Sequence, residues 1–164
     1  MKAIVAVDKE WGIGKGNDLL FSIPEDMKFF RSTTMGKVKV LGRKTLESFP
    51  GGKPLKNRTN VVLTRNGSWD GVISVNGTEA LMREIGGFCE DDVYVCGGAS
   101  VYRELLDYCS EALVTKVDAI GGAEVFFPNL DVLPNWELES CSEPIESNGY
   151  AIRFCTYRNT SIKK

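Results

Sequence analysis

The chain has 164 residues, 43% hydrophobic and 26% charged, and 20 Lys and Arg stand against 22 Asp and Glu for a net charge of −2. That length suits one domain over residues 1–164 with a single core, and the slightly acidic balance excludes the basic footprint of a nucleic-acid or anionic-membrane surface. Histidine is absent, which removes Ser-His and Cys-His nucleophilic couples and any His-ligated zinc site, so no metal centre is expected.

The first apolar run, Lys2–Val7, reads as a strand and stops at Asp8, too short for a signal-peptide core or a membrane span. Next comes Trp11-Gly12-Ile13-Gly14-Lys15-Gly16-Asn17-Asp18. Its three glycines predict a mobile loop, with Trp11 and Ile13 as apolar mass that closes over a ligand as a lid.

The segment Phe21 to Arg31 predicts a helix over 24–33. Ser22 followed by Glu25 is a capping-box pattern, and Pro24 suits the first turn. At about 100° per residue, Ile23, Met27 and Phe30 form one stripe, and Asp26 lies only about 40° from Phe30. A helix that buries this stripe draws Asp26 out of water, which raises its pKa above the ordinary carboxylate value of about 3.9. With no histidine available, Asp26 is the leading candidate for acid–base work.

Further strands are expected at Val38–Leu41, Asn60–Leu63, Val72–Val75, Val93–Cys96 and Ala112–Val117, with helices at Arg43–Ser48, Thr78–Ile85 and Ser100–Leu106. Strands alternating with helices imply an α/β fold: a mostly parallel central sheet flanked by helices on both faces. The runs Trp136–Ser142 and Tyr150–Arg158, around Ser147-Asn148-Gly149, predict a C-terminal antiparallel hairpin. The five widely spaced cysteines read as reduced thiols of a cytoplasmic protein.

Ligands of open α/β sheets bind beyond the carboxyl ends of the strands. Three of those junctions suit phosphate: Gly42-Arg43-Lys44-Thr45, Thr64-Arg65 and Gly97-Gly98-Ala99-Ser100. Together they point to a ligand with several phosphates. Neither a Gly-x-Gly-x-x-Gly after the first strand nor a nucleoside-triphosphate loop is present.

The ordered set Ala6-Val7-Asp8 with Trp11-Gly12-Ile13-Gly14, Ile23-Pro24-Glu25-Asp26-Met27 with Phe30, Gly42-Arg43-Lys44-Thr45-Leu46-Glu47-Ser48, Pro54-Leu55 with Arg58 and Asn60, Gly97 to Tyr102, and Thr115-Lys116-Val117-Asp118 resembles bacterial dihydrofolate reductase over nearly the whole chain. The resemblance implies a monomeric cytoplasmic enzyme that reduces 7,8-dihydrofolate with NADPH and binds antifolate inhibitors. It implies that Asp26, Thr115 and Phe21 serve catalysis. Ile4, Val5, Ala6, Met27, Phe30 and Cys96 would line the pterin slot. Arg31, Ser48, Phe49, Leu55 and Arg58 would meet the benzoyl-glutamate tail. On the cofactor side it implies Ala6, Ile13, Gly14, Asn17, Asp18, Gly42, Arg43, Lys44, Thr45, Leu63, Thr64, Arg65, Cys96, Gly97, Gly98, Ala99, Ser100, Val101 and Tyr102. Two alternatives stand beside it: a pyrimidine reductase of riboflavin synthesis, disfavoured by the pairing of Asp26 with Arg58, and a non-catalytic NADPH-binding module, which has no use for a carboxylate in an apolar slot.

Overall fold

The computed structural model describes residues 1–16, 18–48 and 56–164. The N-terminal half runs β1 (Lys2–Val7), β2 (Gly12–Lys15), β3 (Asp18–Leu19), α1 (Pro24–Thr34), β4 (Val38–Gly42), α2 (Arg43–Glu47), β5 (Thr59–Leu63), β6 (Val72–Val75) and α3 (Thr78–Ile85). The rest runs β7 (Val93–Gly97), α4 (Ala99–Leu105), β8 (Glu111–Val117), β9 (Val125–Phe126), β10 (Trp136–Cys141), β11 (Ile145–Ser147) and β12 (Tyr150–Asn159). The main sheet has the order β10-β12-β8-β1-β7-β4-β5-β6, with β11 also on β12. Pairings from β8 through β6 are parallel, and β12 meets β8, β10 and β11 antiparallel. The expected α/β architecture is therefore present, hairpin included. Its turn places Asn148 and Gly149 at φ of 50° and 82°, as a tight two-residue hairpin turn requires.

Alternation along each strand divides the sheet into two faces. One face carries Ala3, Val5, Val7, Val38, Val40, Val61, Val93, Val95, Ala112 and Val114 into the main core, with Leu81, Val101, Tyr102 and Leu105 of α3 and α4 packed there. The other face lies beneath α1, where the Phe29 and Phe154 rings stand 4.7 Å apart and Ile23 packs with Val117 and Ile152.

Three expectations need correction. The glycine-rich segment after β1 is partly a strand: β2 pairs with β3 and β9 in a separate small sheet. A Cβ on Gly12 would collide with Ala123 and crowd the Asp8 carboxylate, so this glycine permits close packing rather than motion. Trp11 is buried, stacked on Phe127 and edge-on to Tyr157. It anchors the segment instead of closing over a ligand. The capping box does not form, because the N-cap of α1 is Ile23 with no side-chain cap. Instead the Glu25 N–H donates to Ser147 Oγ at 3.3 Å, and Asn148 Nδ2 donates to the Ser22 carbonyl at 2.7 Å. The hairpin turn, far off in sequence, secures the helix start.

The cysteines also differ from the expectation of five reduced thiols. Cys141 and Cys155 form a disulfide, and Cys89, Cys96 and Cys109 are free. A separation of 14 residues hid the pair in the sequence, whereas β10 and β12 set the two directly opposite with Cα atoms 4.1 Å apart. Among the described residues, no helix is long and apolar enough to cross a membrane.

Candidate active site

The residues around Asp26 arrive on four elements, α1, β1, β7 and β8. From α1 come Asp26, Met27 and Phe30. The stripe they share is not sealed, since Met27 is 42% exposed and Asp26 and Phe30 are half-buried. Ile23 alone of the stripe is buried, because it packs on the sheet where α1 begins. The remainder of the stripe is open wall, which is what a ligand slot needs and a core helix does not. Burial raises the Asp26 carboxyl above its ordinary value, and a hydrogen bond with the Thr115 hydroxyl partly offsets the rise. Thr115 is buried on β8, in register with Ala6 on β1 and Phe154 on β12.

From β1, Ile4 and Ala6 take the face toward α1, while the Val5 side chain points into the main core. Val5 can therefore meet the slot only through its backbone. Cys96 on β7 lies on the same face as Ile4, and burial pushes its thiol up to about 12, so it stays neutral. Phe21 sits at the entry to α1, 4.8 Å from the Tyr150 ring and close against Gly121.

The tail end of the site centres on Arg58. Its guanidinium is held by three hydrogen bonds: Nε to Thr34 Oγ1 (3.2 Å), one terminal nitrogen to the Arg31 carbonyl (2.7 Å) and the other to the Lys56 carbonyl (2.6 Å). Arg31 is exposed and supplies that carbonyl from the last turn of α1. Ser48 closes α2 with its hydroxyl on the Thr45 carbonyl at 2.6 Å. Phe49, Leu55 and Asn17 lie outside the described residues, as does the side chain of Asp18.

The three phosphate-suited junctions converge where β4, β5 and β7 end. A Cβ placed on Gly98 would lie 3.3 Å from Thr45 Oγ1, and one on Gly97 would lie 3.6 Å from it. The glycine pair and the start of α2 thus form a cradle that any larger side chain would fill. Arg43, Lys44, Arg65 and Ser100 are exposed there, and Gly42, Thr45, Leu63, Thr64 and Ala99 are half-buried. Arg43 reaches Glu47 at 3.6 Å, and Thr64 Oγ1 donates to the Asn66 carbonyl. Val101 and Tyr102 are buried behind the cradle, with the Tyr102 hydroxyl donating to the Ile4 carbonyl at 2.7 Å. Ile13 packs on the main core, and Gly14 is buried in β2. A cavity of about 500 Å³ elsewhere, lined by Trp11, Lys116, Asp131 and Arg153 among others, contains none of the expected site residues.

Sequence reasoning missed two groups. Asp8 accepts hydrogen bonds from the N–H groups of Glu10 (2.8 Å), Gly12 (2.7 Å) and Gly121 (3.0 Å), fastening β2 and the segment before β9 to the end of β1. Lys39 is fully buried on β4, with its ammonium 5.2 Å from the centre of the Phe30 ring. The signal for it was a lysine alone inside the apolar run Val38–Leu41.

Comparison with known proteins gives one consistent result. A family model described as Dihydrofolate reductase matches residues 1–159. The dihydrofolate reductase of Neisseria gonorrhoeae is 33% identical over 156 residues, 94% of each chain. That of Bacillus subtilis is 32% identical over 165 residues, covering 98% of this chain and 95% of the relative. Among solved structures, dihydrofolate reductase from Enterococcus faecalis, complexed with NADP(H) and RAB-propyl, superposes with a TM-score of 0.82 at 32% identity, over 96% of this chain and 95% of that one.

Proposed function

We propose that this chain, which belongs to the dihydrofolate reductase family, reduces 7,8-dihydrofolate to 5,6,7,8-tetrahydrofolate with NADPH. The observation that carries the reading is a half-buried carboxylate, Asp26, bonded to Thr115 on an open apolar wall. Asp26 accepts hydrogen bonds from the pterin's ring nitrogen and exocyclic amine. Ile4, Ala6, Met27, Phe30 and Cys96 form the walls that exclude water, and Phe21 closes the end near α1. Arg58, already held in place by α1, grips the α-carboxylate of the glutamate tail, with Arg31 and Ser48 around the benzoyl-glutamate, where the family resemblance also assigns Phe49 and Leu55.

The cradle of Gly97, Gly98 and Thr45 with its surrounding cations fits a dinucleotide that carries several phosphates. Arg43, Lys44, Thr45, Thr64 and Arg65 would hold the phosphates, and Ala6, Ile13 and Gly14 would meet the nicotinamide side. Bound NADPH supplies the hydride that reaches pterin carbon 6. Alignment of the two rings by these walls is the protein's main contribution, since good positioning supplies roughly 7–11 kcal/mol. Asp26 polarises the pterin while solvent delivers a proton to the adjacent ring nitrogen. The reading makes the whole chain one catalytic domain, monomeric and cytoplasmic, that binds no nucleic acid, is open to antifolates and feeds one-carbon metabolism.

Loss of NADPH absorbance on adding dihydrofolate tests the proposal. The unaltered chain should consume NADPH, and Arg58→Leu should raise KM about tenfold or more with a smaller effect on kcat, because a bidentate carboxylate clamp is lost. No NADPH consumption by the unaltered chain would overturn it.

A further inference from the structure

We propose that Lys39 is a positioning residue that sets specificity for the substrate's glutamate tail, bracing the Phe30 ring and adding positive charge beside Arg58. The inference rests on the function proposed above. Lys39 is the second residue of β4, with none of its surface exposed. Val38 and Val40 on either side point into the main core, so strand alternation sends Lys39 to the face beneath α1. Register sets it level with Tyr94 on β7 and Asn60 on β5, two residues after Arg58.

From there the side chain does two things. Its ammonium stands 5.2 Å from the centre of the Phe30 ring, and a cation over an aromatic face is worth most where water is excluded. Phe30 is only half-buried, so its ring joins the buried cation to the open wall of the slot. The Lys39 charge also acts on Arg58. Burial is the main cause lowering the ammonium to about 8, and the Arg58 charge adds to it. Two cations held near each other repel, and an arriving carboxylate relieves that repulsion. Through Arg58, Lys39 therefore strengthens the hold on a substrate that carries the tail, beyond what the Phe30 contact gives to any pterin in the slot.

Of the charged and titratable groups on the surrounding elements, Glu25, Lys28 and Arg31 on α1 are exposed, which leaves Asp26 on α1, Arg58 before β5, Lys2 on β1, and Tyr94 and Cys96 on β7 on the side of Lys39. Cys96 is pushed up to about 12 and stays neutral through the range in which Lys39 titrates.

The test compares KM and kcat for dihydrofolate and for a tail-less 7,8-dihydropterin, in the unaltered chain and in Lys39→Met, between pH 6.5 and 9. The ratio of the two KM values cancels the titration of Asp26, which both substrates share. Lys39→Met should raise KM for dihydrofolate about fivefold more than KM for the tail-less substrate, the worth of about 1 kcal/mol from one charge beside Arg58, while loss of the Phe30 contact raises both alike and kcat stays within about twofold. In the unaltered chain the KM ratio should climb as pH passes about 8, and in Lys39→Met it should stay flat. An equal rise in both KM values would mean a structural role only and would overturn the proposal. A flat ratio in the unaltered chain would overturn it without any variant having to fold. Absence of turnover by the unaltered chain with either substrate would overturn the assignment of the site and this inference with it.

Discussion

Burial on α1 raises the Asp26 carboxyl above its ordinary 3.8, so the folded chain binds this proton more tightly than the unfolded chain does. Above the folded pKa the group is ionised in both states, and its cost to stability is then fully present. As pH falls through the folded pKa toward 3.8 that cost disappears. Asp26→Asn removes it, so the variant should melt at a higher temperature than the parent at neutral pH and show little difference near pH 4. Its turnover at neutral pH should fall by roughly 10²-fold or more, the usual worth of a placed acid–base group. Thermal scans and NADPH assays on one preparation check both halves, and unaltered turnover would remove Asp26 from the mechanism. Asp26 was legible in the sequence because helix periodicity alone sets it 40° from Phe30. Arg58 was legible only through family resemblance, since its anchors, Thr34 and the carbonyls of Arg31 and Lys56, come from two segments that meet only in the fold.

At the level of elements, the glycine-rich segment after β1 owes its order to one carboxylate. Burial alone would raise the Asp8 pKa, but the N–H groups of Gly121, Gly12 and Glu10 outweigh it and hold the carboxyl below its ordinary value. The resulting stabilisation is present above about pH 3.8 and is lost as pH falls through the lower folded value. Asp8→Asn leaves only one acceptor oxygen for three donors, so the fold should lose about 1–3 kcal/mol. Amide hydrogen exchange should quicken at Gly12 and Gly121 before it does in β1 or β8. Uniform exchange across the chain would show that Asp8 does not join those two segments. The same element shows where local patterns stop being informative. Glycines in Trp11–Asp18 read as mobility, yet Gly12 is small because Ala123 and the Asp8 carboxylate lie against it. The start of α1 repeats the lesson, since its cap comes from Ser147 and Asn148 rather than from Ser22 and Glu25.

For the molecule as a whole, the Cys141–Cys155 link joins β10 to β12 at the end of the sheet opposite β6. Neither residue lies among the groups around Asp26 or in the cradle at Gly97 and Thr45. Closing a loop of 14 residues stabilises by at most about 3 kcal/mol on chain-entropy grounds. Cys155 is buried in the same core as Trp136, Tyr157, Phe127 and Trp11, and the contacts of Trp11 with Phe127 and Tyr157 do not run through the bridge. Denaturant titration should therefore show a lower midpoint with reductant and the same turnover per folded molecule. Labelling of the unfolded chain should count five thiols after reduction and three after oxidation. Five thiols after thorough oxidation would show that the two strands do not hold the pair together.

The order of the main-sheet strands other than β11 and of the helices, the parallel sheet and its terminal hairpin follow from the amino-acid sequence, because hydrophobic periodicity and turn residues act over a few positions at a time. Asp26 and the three phosphate-suited junctions are equally local, each resting on neighbours within one turn or one strand end. Tertiary structure alone decided the rest: the side chain of Val5 facing the core, the hairpin that caps α1, the disulfide, the three N–H groups on Asp8, and Lys39 behind Phe30. Each of these joins residues far apart in the chain, and pairing in space depends on sheet order and register, which no short stretch of sequence encodes.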